Sequence, residues 1–264
     1  MKKFLKIAAI VLVFAMIASF AACGGAGEKE KLIMATNAAF PPYEYKEGDK
    51  IVGIDAEIAA AIAEELGMEL EIVDTEFGSI IGGVQSGKYD IGMAGMTVTE
   101  ERKQSVNFSN TYAKGVQSVI VTADSKYASY EDFYTGFGAD GNPTGVKADI
   151  KIGVQQDTTG DIYSSDEPAN WGFGEDKVVR FKTGADAVQA LKTGKVTAVI
   201  IDNEPAKAFV AANEGLKILE ASYVEEDYAI AIAKDNTELL EKINAALVKL
   251  TEDGTIPAII EKYI

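Results

Sequence analysis

The residues best equipped for chemistry lie in 94–102, A-G-M-T-V-T-E-E-R. The segment follows a strand-like run, 89–93 (Y-D-I-G-M), and reads as a loop that opens a helix. Main-chain N–H groups at such a junction point at one spot, with the positive end of the helix dipole behind them. Thr97 and Thr99 add hydroxyls, and Arg102 adds a planar fork of donors that fits a carboxylate. The chemistry is that of a small-anion site, most economically a carboxylate site. Of 25 basic residues only Arg102 and Arg180 are arginine, so a chain that otherwise uses lysine carries its fork beside this loop. The competing reading is an ordinary solvated helix turn made by Glu100, Glu101 and Arg102.

The elements that must hold this loop follow from hydrophobic periodicity. Residues 31–36, 51–54, 69–73, 89–93, 116–122, 150–154, 178–181, 196–201, 217–219 and 228–233 read as strands. Asp55 is expected to cap a helix with Ile58, Ile62 and Leu66 on one face, stopped by Gly67. Further helices are expected over 79–87, 185–193, from Pro205 onward, over 237–253 with Leu240, Ile243, Leu247 and Leu250 inward, and over 256–263. Residues 37–45 (N-A-A-F-P-P-Y-E-Y) are not helical, because Pro41 and Pro42 hold an extended turn. Phe40 and Tyr43 are displayed there, just past a strand end, and Phe77 sits in the loop after 69–73. The polar stretch 124–149 reads as loop-rich, and 155–160 (Q-Q-D-T-T-G) as a helix start. Strands alternating with helices imply βαβ units and mostly parallel sheets.

An internal echo suggests two such lobes. Residues 84–95 (V-Q-S-G-K-Y-D-I-G-M-A-G) line up with 191–202 (L-K-T-G-K-V-T-A-V-I-I-D). Gly95 and Asp202 then occupy equivalent strand C-terminal ends, where open α/β sheets bind ligands. If the lobes face each other, Arg102 and Asp202 meet across a cleft. One side grips a carboxylate and the other accepts an ammonium, the two groups that an α-amino acid carries on one carbon. Phe40 and Phe77 are placed to sandwich its side chain. The plainer alternatives are core packing for each aromatic and a helix N-cap for Asp202.

Composition narrows the classes. The net charge of −16 over 264 residues disfavours nucleic acid and anionic lipid surfaces as partners. There is no histidine and a single cysteine, Cys23, so Cys/His metal sites and Ser-His or Cys-His nucleophiles are excluded. No metal and no cofactor are expected. Lys2, Lys3 and Lys6 precede an apolar run, 7–18, too short to span a bilayer, and Ala21 and Ala22 precede Cys23. Residues 1–22 resemble a lipoprotein signal, with Cys23 as the lipidated residue and 23–30 as a flexible tether. The alternative is an ordinary secretory signal, but a lone thiol in an exported chain calls for a reason.

The pattern as a whole resembles the extracellular solute-binding proteins that serve polar amino-acid ABC importers. The matching residues are T-N-A-A-F-P-P-Y (36–43), V-G-I-D (52–55), S-G-K-Y-D-I-G-M-A-G-M-T-V-T-E-E-R (86–102), N-F-S (107–109), G-V-Q-Q-D-T-T-G (153–160) and A-V-I-I-D-N (198–203). The match covers essentially all of 31–264. The resemblance implies a two-lobed periplasmic-binding-protein type II fold, with lobe 1 formed by 31–114 and 228–264 and lobe 2 by 115–227. The chain would cross between lobes near 113–117 and 225–228 and close by a hinge. It implies that Gly95, Met96 and Thr97 meet the amino and carboxylate groups, that Arg102 and Thr159 hold the carboxylate, and that Asp202 holds the ammonium. Phe40 and Phe77 would flank the side chain, and Asn37 and Gln155 would read it. Because both readers are neutral amides, a polar uncharged amino acid is expected, with a basic one as the alternative. The expected partners are a free amino acid and a membrane permease; the expected state is an extracytoplasmic, lipid-anchored monomer without enzymatic activity.

Two other readings share parts of the pattern. Carboxylate-dependent cyclohexadienyl-type dehydratases share the fold, and would use Asp157 as the acid. A sensory input domain would need a membrane helix and signalling domain after Ile264. The chain also departs from the family pattern. Asp157 stands where glycine is usual, Gly82 where proline is common, and 134–149 and 164–176, with Trp171, look longer than the family minimum.

Overall fold

The apolar runs pair as parallel strands. Lys31–Thr36 lies between Glu69–Asp74 and Ile91–Gly92, parallel to both, with Met34 beside Ile72 on one side and Ile91 on the other. The structure is a computed structural model and describes residues 29–220 and 223–264. The expected signal segment 1–22, Cys23 and most of the expected tether 23–30 therefore lie outside the described residues. Between the first two strands runs the helix Ile54–Glu65, which buries Ile54, Ile58, Ala59, Ile62 and Ala63. Gly67, at φ 70°, takes the left-handed position that stops it. Gly53, not Asp55, is the N-cap. Asp55 lies in the first turn and is buried, for a reason given below.

This first sheet is completed by Ala231–Ala233, antiparallel to both Ile91–Gly92 and Val106–Phe108. Against it packs Thr237–Glu252, capped by Asn236, whose Oδ1 accepts from Leu239 N at 3.2 Å. Its buried residues are Leu239, Ile243, Ala246, Leu247 and Leu250. Leu240, expected inward, sits at the edge of that face and is only partly buried.

The second lobe repeats the plan. Ile152–Gln155 lies parallel between Val178–Phe181 and Ala198–Asp202. Ala113–Thr122 then runs antiparallel to Ala198–Asp202 and Leu216–Ile218. Each sheet thus has a parallel core, and the antiparallel partners are strands at or next to the junction between the lobes. Both lobes belong to one compact unit, Lys31–Ile264.

At the junction Ala113–Thr122 serves two partners. Residues 117–122 belong to the second sheet, while 113–116 pair antiparallel with Glu225–Tyr228. The single strand expected over 228–233 is therefore two, Glu225–Tyr228 and Ala231–Ala233. The break falls at Ala229, whose N–H turns to Met96 O at 3.1 Å.

The stretch 124–149 is more ordered than its composition suggests. It holds a short 3-10 turn, Tyr130–Phe133, and a hairpin, Tyr134–Phe137 with Pro143–Val146. The hairpin packs on the other long segment. Tyr134 stacks on Phe173 with centroids 5.4 Å apart and donates its hydroxyl to Trp171 O at 2.6 Å. The two extra segments therefore bury each other's aromatic faces.

Candidate ligand-binding site

A narrow cavity of about 20 Å³ lies between the lobes, little more than the room one water needs. From the first lobe it is lined by Asn37, Phe40, Phe77, Gly95, Thr97 and Arg102, and from the second by Gln155, Thr159 and Asp202. All nine are residues that the sequence singled out. Met96, the tenth, turns its side chain into the core behind the loop and lines an outer crevice instead. Three further residues, Glu44, Ala94 and Thr158, line the cavity without having been expected there.

The loop that carries Gly95–Arg102 is held differently from the expectation. The helix after it, Arg102–Ser105, is a single turn, so it supplies little dipole. Its main-chain donors are also committed. Gly95 N donates to Asp55 Oδ2 at 2.8 Å, Val98 N to Asp227 O at 3.0 Å, and Arg102 N to Thr99 Oγ1 at 3.1 Å. The nest of free N–H groups is therefore not what the loop presents at these positions. Thr99 closes a turn and takes no place in the cavity. Thr97 and the Arg102 side chain remain. Gly95 is required on steric grounds: at φ 51°, a Cβ would stand 2.8 Å from the Phe40 ring.

Arg102 is only 8% exposed. Its Nη1 donates to Thr97 O at 2.8 Å and its Nη2 to Asp157 O, in the other lobe, at 3.1 Å. The guanidinium carbon lies 5.2 Å from the Phe77 ring centroid, a cation–π contact that fixes its plane. A guanidinium has five N–H donors, so this bonding leaves donors for a carboxylate. Burial lowers its pKa from the ordinary value.

Asp202 ends the strand Ala198–Asp202 and is 7% exposed. It occupies the N-cap position of Asn203–Ala212 but makes no capping bond. Instead its Oδ1 accepts the hydroxyl of Tyr228. Burial, and then the Glu226 charge, raise its carboxyl well above the usual range. A cation in the cavity would relieve both effects.

Two buried acids were not legible as site residues. Asp55 accepts from Gly95 N and from Tyr112 Oη, the latter at 2.9 Å, and burial raises its carboxyl to about 6. It props the loop from behind. Glu44 is 0% exposed and lines the cavity. No donor among the described residues meets its carboxyl oxygens; its own protonated carboxyl faces Asp55, which accepts from it. Burial, then the Asp55 charge, raise its carboxyl well above the usual range.

The lobes are closed on each other. Gln155 Nε2 donates to Asn37 Oδ1 at 2.9 Å, the Thr97 and Thr159 hydroxyls meet at 3.4 Å, and Lys182 pairs with Glu76 at 2.7 Å. Asn37 Nδ2 donates to Thr75 O at 2.8 Å. The two amides expected to read a side chain therefore bond one another. Asp157, the acid that a dehydratase would use, lines the outer crevice and not the cavity.

Comparison with known proteins agrees with this architecture. Residues 32–264 match the family model of bacterial extracellular solute-binding proteins, family 3. The arginine-binding extracellular protein ArtP of Bacillus subtilis is 33% identical over 100% of this chain and 98% of its own length. An ancestral arginine-binding protein bound to glutamine superposes with a TM-score of 0.77 at 38% identity, covering 89% of this chain and 98% of that one. The arginine-, lysine-, histidine-binding protein ArtJ of Geobacillus stearothermophilus gives 0.78 at 29% identity, covering 89% and 95%. With its two-lobed α/β fold and a match across nearly all of the described residues, the chain belongs to the bacterial extracellular solute-binding proteins, family 3.

Proposed function

We propose that this chain is the ligand-capturing component of an ABC importer for a free amino acid, and that the amino acid is basic. One observation carries the first part: a buried arginine from one lobe and a buried aspartate from the other line a single cavity. Arg102 with Thr97 and Thr159 takes the α-carboxylate, Asp202 the α-ammonium, and Phe40 and Phe77 bracket the side chain. Lobe 1 is 31–114 with 228–264 and lobe 2 is 115–227, joined through Ala113–Thr122 and Glu225–Tyr228. The closed form is the one delivered to a membrane permease outside the cytoplasm. Cys23 supplies a lipid anchor, and the protein acts as a monomer without catalysis.

The choice of side chain turns on Glu44. A polar uncharged ligand follows from Asn37 and Gln155 alone, but those amides bond each other in the closed form. The remaining ionisable group is Glu44, whose buried carboxyl rests protonated beside Asp55 and ionises at least cost with a cation against it. Relatives named for arginine or for arginine, lysine and histidine support the same reading, while the ancestral protein holding glutamine keeps the amide alternative open to test.

A thermal-shift screen over the twenty amino acids decides between them, since a ligand that binds only the folded state raises its melting point. L-arginine or L-lysine is expected to give the largest rise. A ranking led by L-glutamine or L-asparagine would restore the uncharged ligand. No response to any amino acid would overturn the capture function itself.

A further inference from the structure

The residue at 157 is one of two non-glycine residues with positive φ among the described residues, at 65°. Asparagine and aspartate tolerate this left-handed region better than other side chains, but glycine adopts it freely. Asp157 Oδ2 accepts one long hydrogen bond within its own lobe, from Gln156 Nε2 at 3.4 Å. Its carboxylate lies directly against Gly78 of the opposite lobe: a Cβ on Gly78 would collide with Asp157 Oδ2 and stand 3.3 Å from Asp157 Cβ. Its carbonyl oxygen takes the cross-lobe bond from Arg102 Nη2 at 3.1 Å. Its N–H, by contrast, is tied within its own lobe, to Asp161 Oδ2 at 3.0 Å. Asp161 is in turn gripped by Arg180 Nε at 2.9 Å. One end of the rim is thus anchored in lobe 2, and the other reaches over to lobe 1. It does so at the wall between the cavity and an outer crevice that Arg102 and Phe77 also line.

Resting on the amino-acid-capture reading, we infer that Asp157 and Gly78 form a rim latch that sets how long the closed lobes retain their ligand. The aspartate is the bolt and the missing side chain at Gly78 is its seat. Neither residue lines the cavity, so the pair acts on retention and not on recognition. A glycine at 157 keeps the backbone path but removes the bolt. A methyl group at 78 fills the seat.

The latch is tested in two ways. In the full chain carrying Cys23→Ser, Gly78→Cys with Asp157→Cys is expected to form a disulfide under mild oxidation, because the two Cβ positions are close to a disulfide's usual separation of about 3.8 Å. L-arginine should speed the cross-link. Failure to cross-link with and without L-arginine overturns the latch, whatever the ligand proves to be. The second arm is the dissociation rate of L-arginine by stopped-flow fluorescence. Asp157→Gly and Gly78→Ala are each expected to raise it about tenfold with little change in association rate. Asp157→Gly should cancel the effect of Gly78→Ala when the two are combined, because the seat is then no longer needed. Unchanged dissociation in Asp157→Gly, or additive losses in the double variant, overturns the latch. A wild-type chain that does not bind L-arginine overturns the basic-ligand reading, and the dissociation arm is then run with the amino acid that leads the thermal-shift screen.

Discussion

Tyr228 donates its hydroxyl to Asp202 Oδ1 across the junction between the lobes. Tyr228 belongs to the strand Glu225–Tyr228, lies opposite Thr97 in an isolated β-bridge, and packs edge-on against Tyr43 with centroids 5.1 Å apart. One residue therefore ties Asp202 of one lobe, by its side chain, to the 94–102 loop of the other, by its main chain. In Tyr228→Phe the ring packing survives and the donor is lost. Asp202 is then less well oriented as an ammonium acceptor. A neutral hydrogen bond contributes roughly 1 kcal/mol net, and one to a charged group about 1.5–3. Affinity for L-arginine, read by calorimetry, is expected to fall about tenfold, with the melting point lowered by only a few degrees.

Arg102→Ala should remove binding while leaving a cooperative melt. Truncating one partner of a buried, hydrogen-bonded charge pair costs about 2–5 kcal/mol, which is roughly 30-fold or more in affinity. Arg102→Lys keeps the charge but not the fork, and should recover only part of the loss. Full binding by Arg102→Ala would show that the carboxylate is held elsewhere.

Glu44→Gln separates the side-chain subsite from the α-amino-acid subsite. The variant is expected to bind L-arginine about tenfold more weakly, or about 1.4 kcal/mol, and to change L-glutamine affinity less than threefold. Competition calorimetry with the two amino acids measures the ratio. Equal losses for both would place Glu44 in the scaffold.

Asp55 gives a pH signature whose sign is opposite to ordinary acid denaturation. Its carboxyl is raised from 3.8 to about 6 by burial, so the folded chain holds a proton that the unfolded chain releases between those values. The associated stability is fully present below about 4 and is lost as pH rises through about 6. The size is on the order of 3 kcal/mol for such a shift. The melting-point gap between the wild type and Asp55→Asn should therefore change between pH 5 and pH 7.5 in favour of the variant at the higher pH. Glu44 and Asp202 are raised in the same direction. A cationic ligand needs them ionised, so the melting-point rise caused by L-arginine should shrink as pH falls.

How much of this was legible depends on what each residue does in the chain locally. The parallel strands are short runs that can be read one at a time. Gly95 and Asp202 are legible because they stand just past strand ends, where topology says ligands go, and Arg102 because a rare arginine stands beside the same loop. Glu44 was hidden for the opposite reason. It sits in Y-E-Y on a three-stranded flap, Ala39–Phe40, Glu44–Glu47 and Lys50–Val52, where an acid reads as the solvent side of an alternating strand. Its neighbours in space are Asp55, on the following helix, and Asp202, in the other lobe, and neither is marked by the local sequence. Asp55 was mistaken for a cap because aspartate before an apolar helix is usually one. The signal that it is not was its neighbour, since Gly53 takes the cap position itself. The hairpin in 134–146 was lost among Gly, Asp and Asn. Tyr134 is buried against Trp171 and Phe173, which are distant in sequence, while Phe137 stays about half exposed.

The paired run at the junction has a further consequence. Glu225 faces Val116, Glu226 Gly115, Asp227 Lys114 and Tyr228 Ala113, with main-chain hydrogen bonds across the pair. Two strands stitched in this way flex like a strap and resist sliding past one another. On the proposed hinge, such a strap lets the halves swing apart in preference to shearing, so the crevice opens on the side away from the paired run.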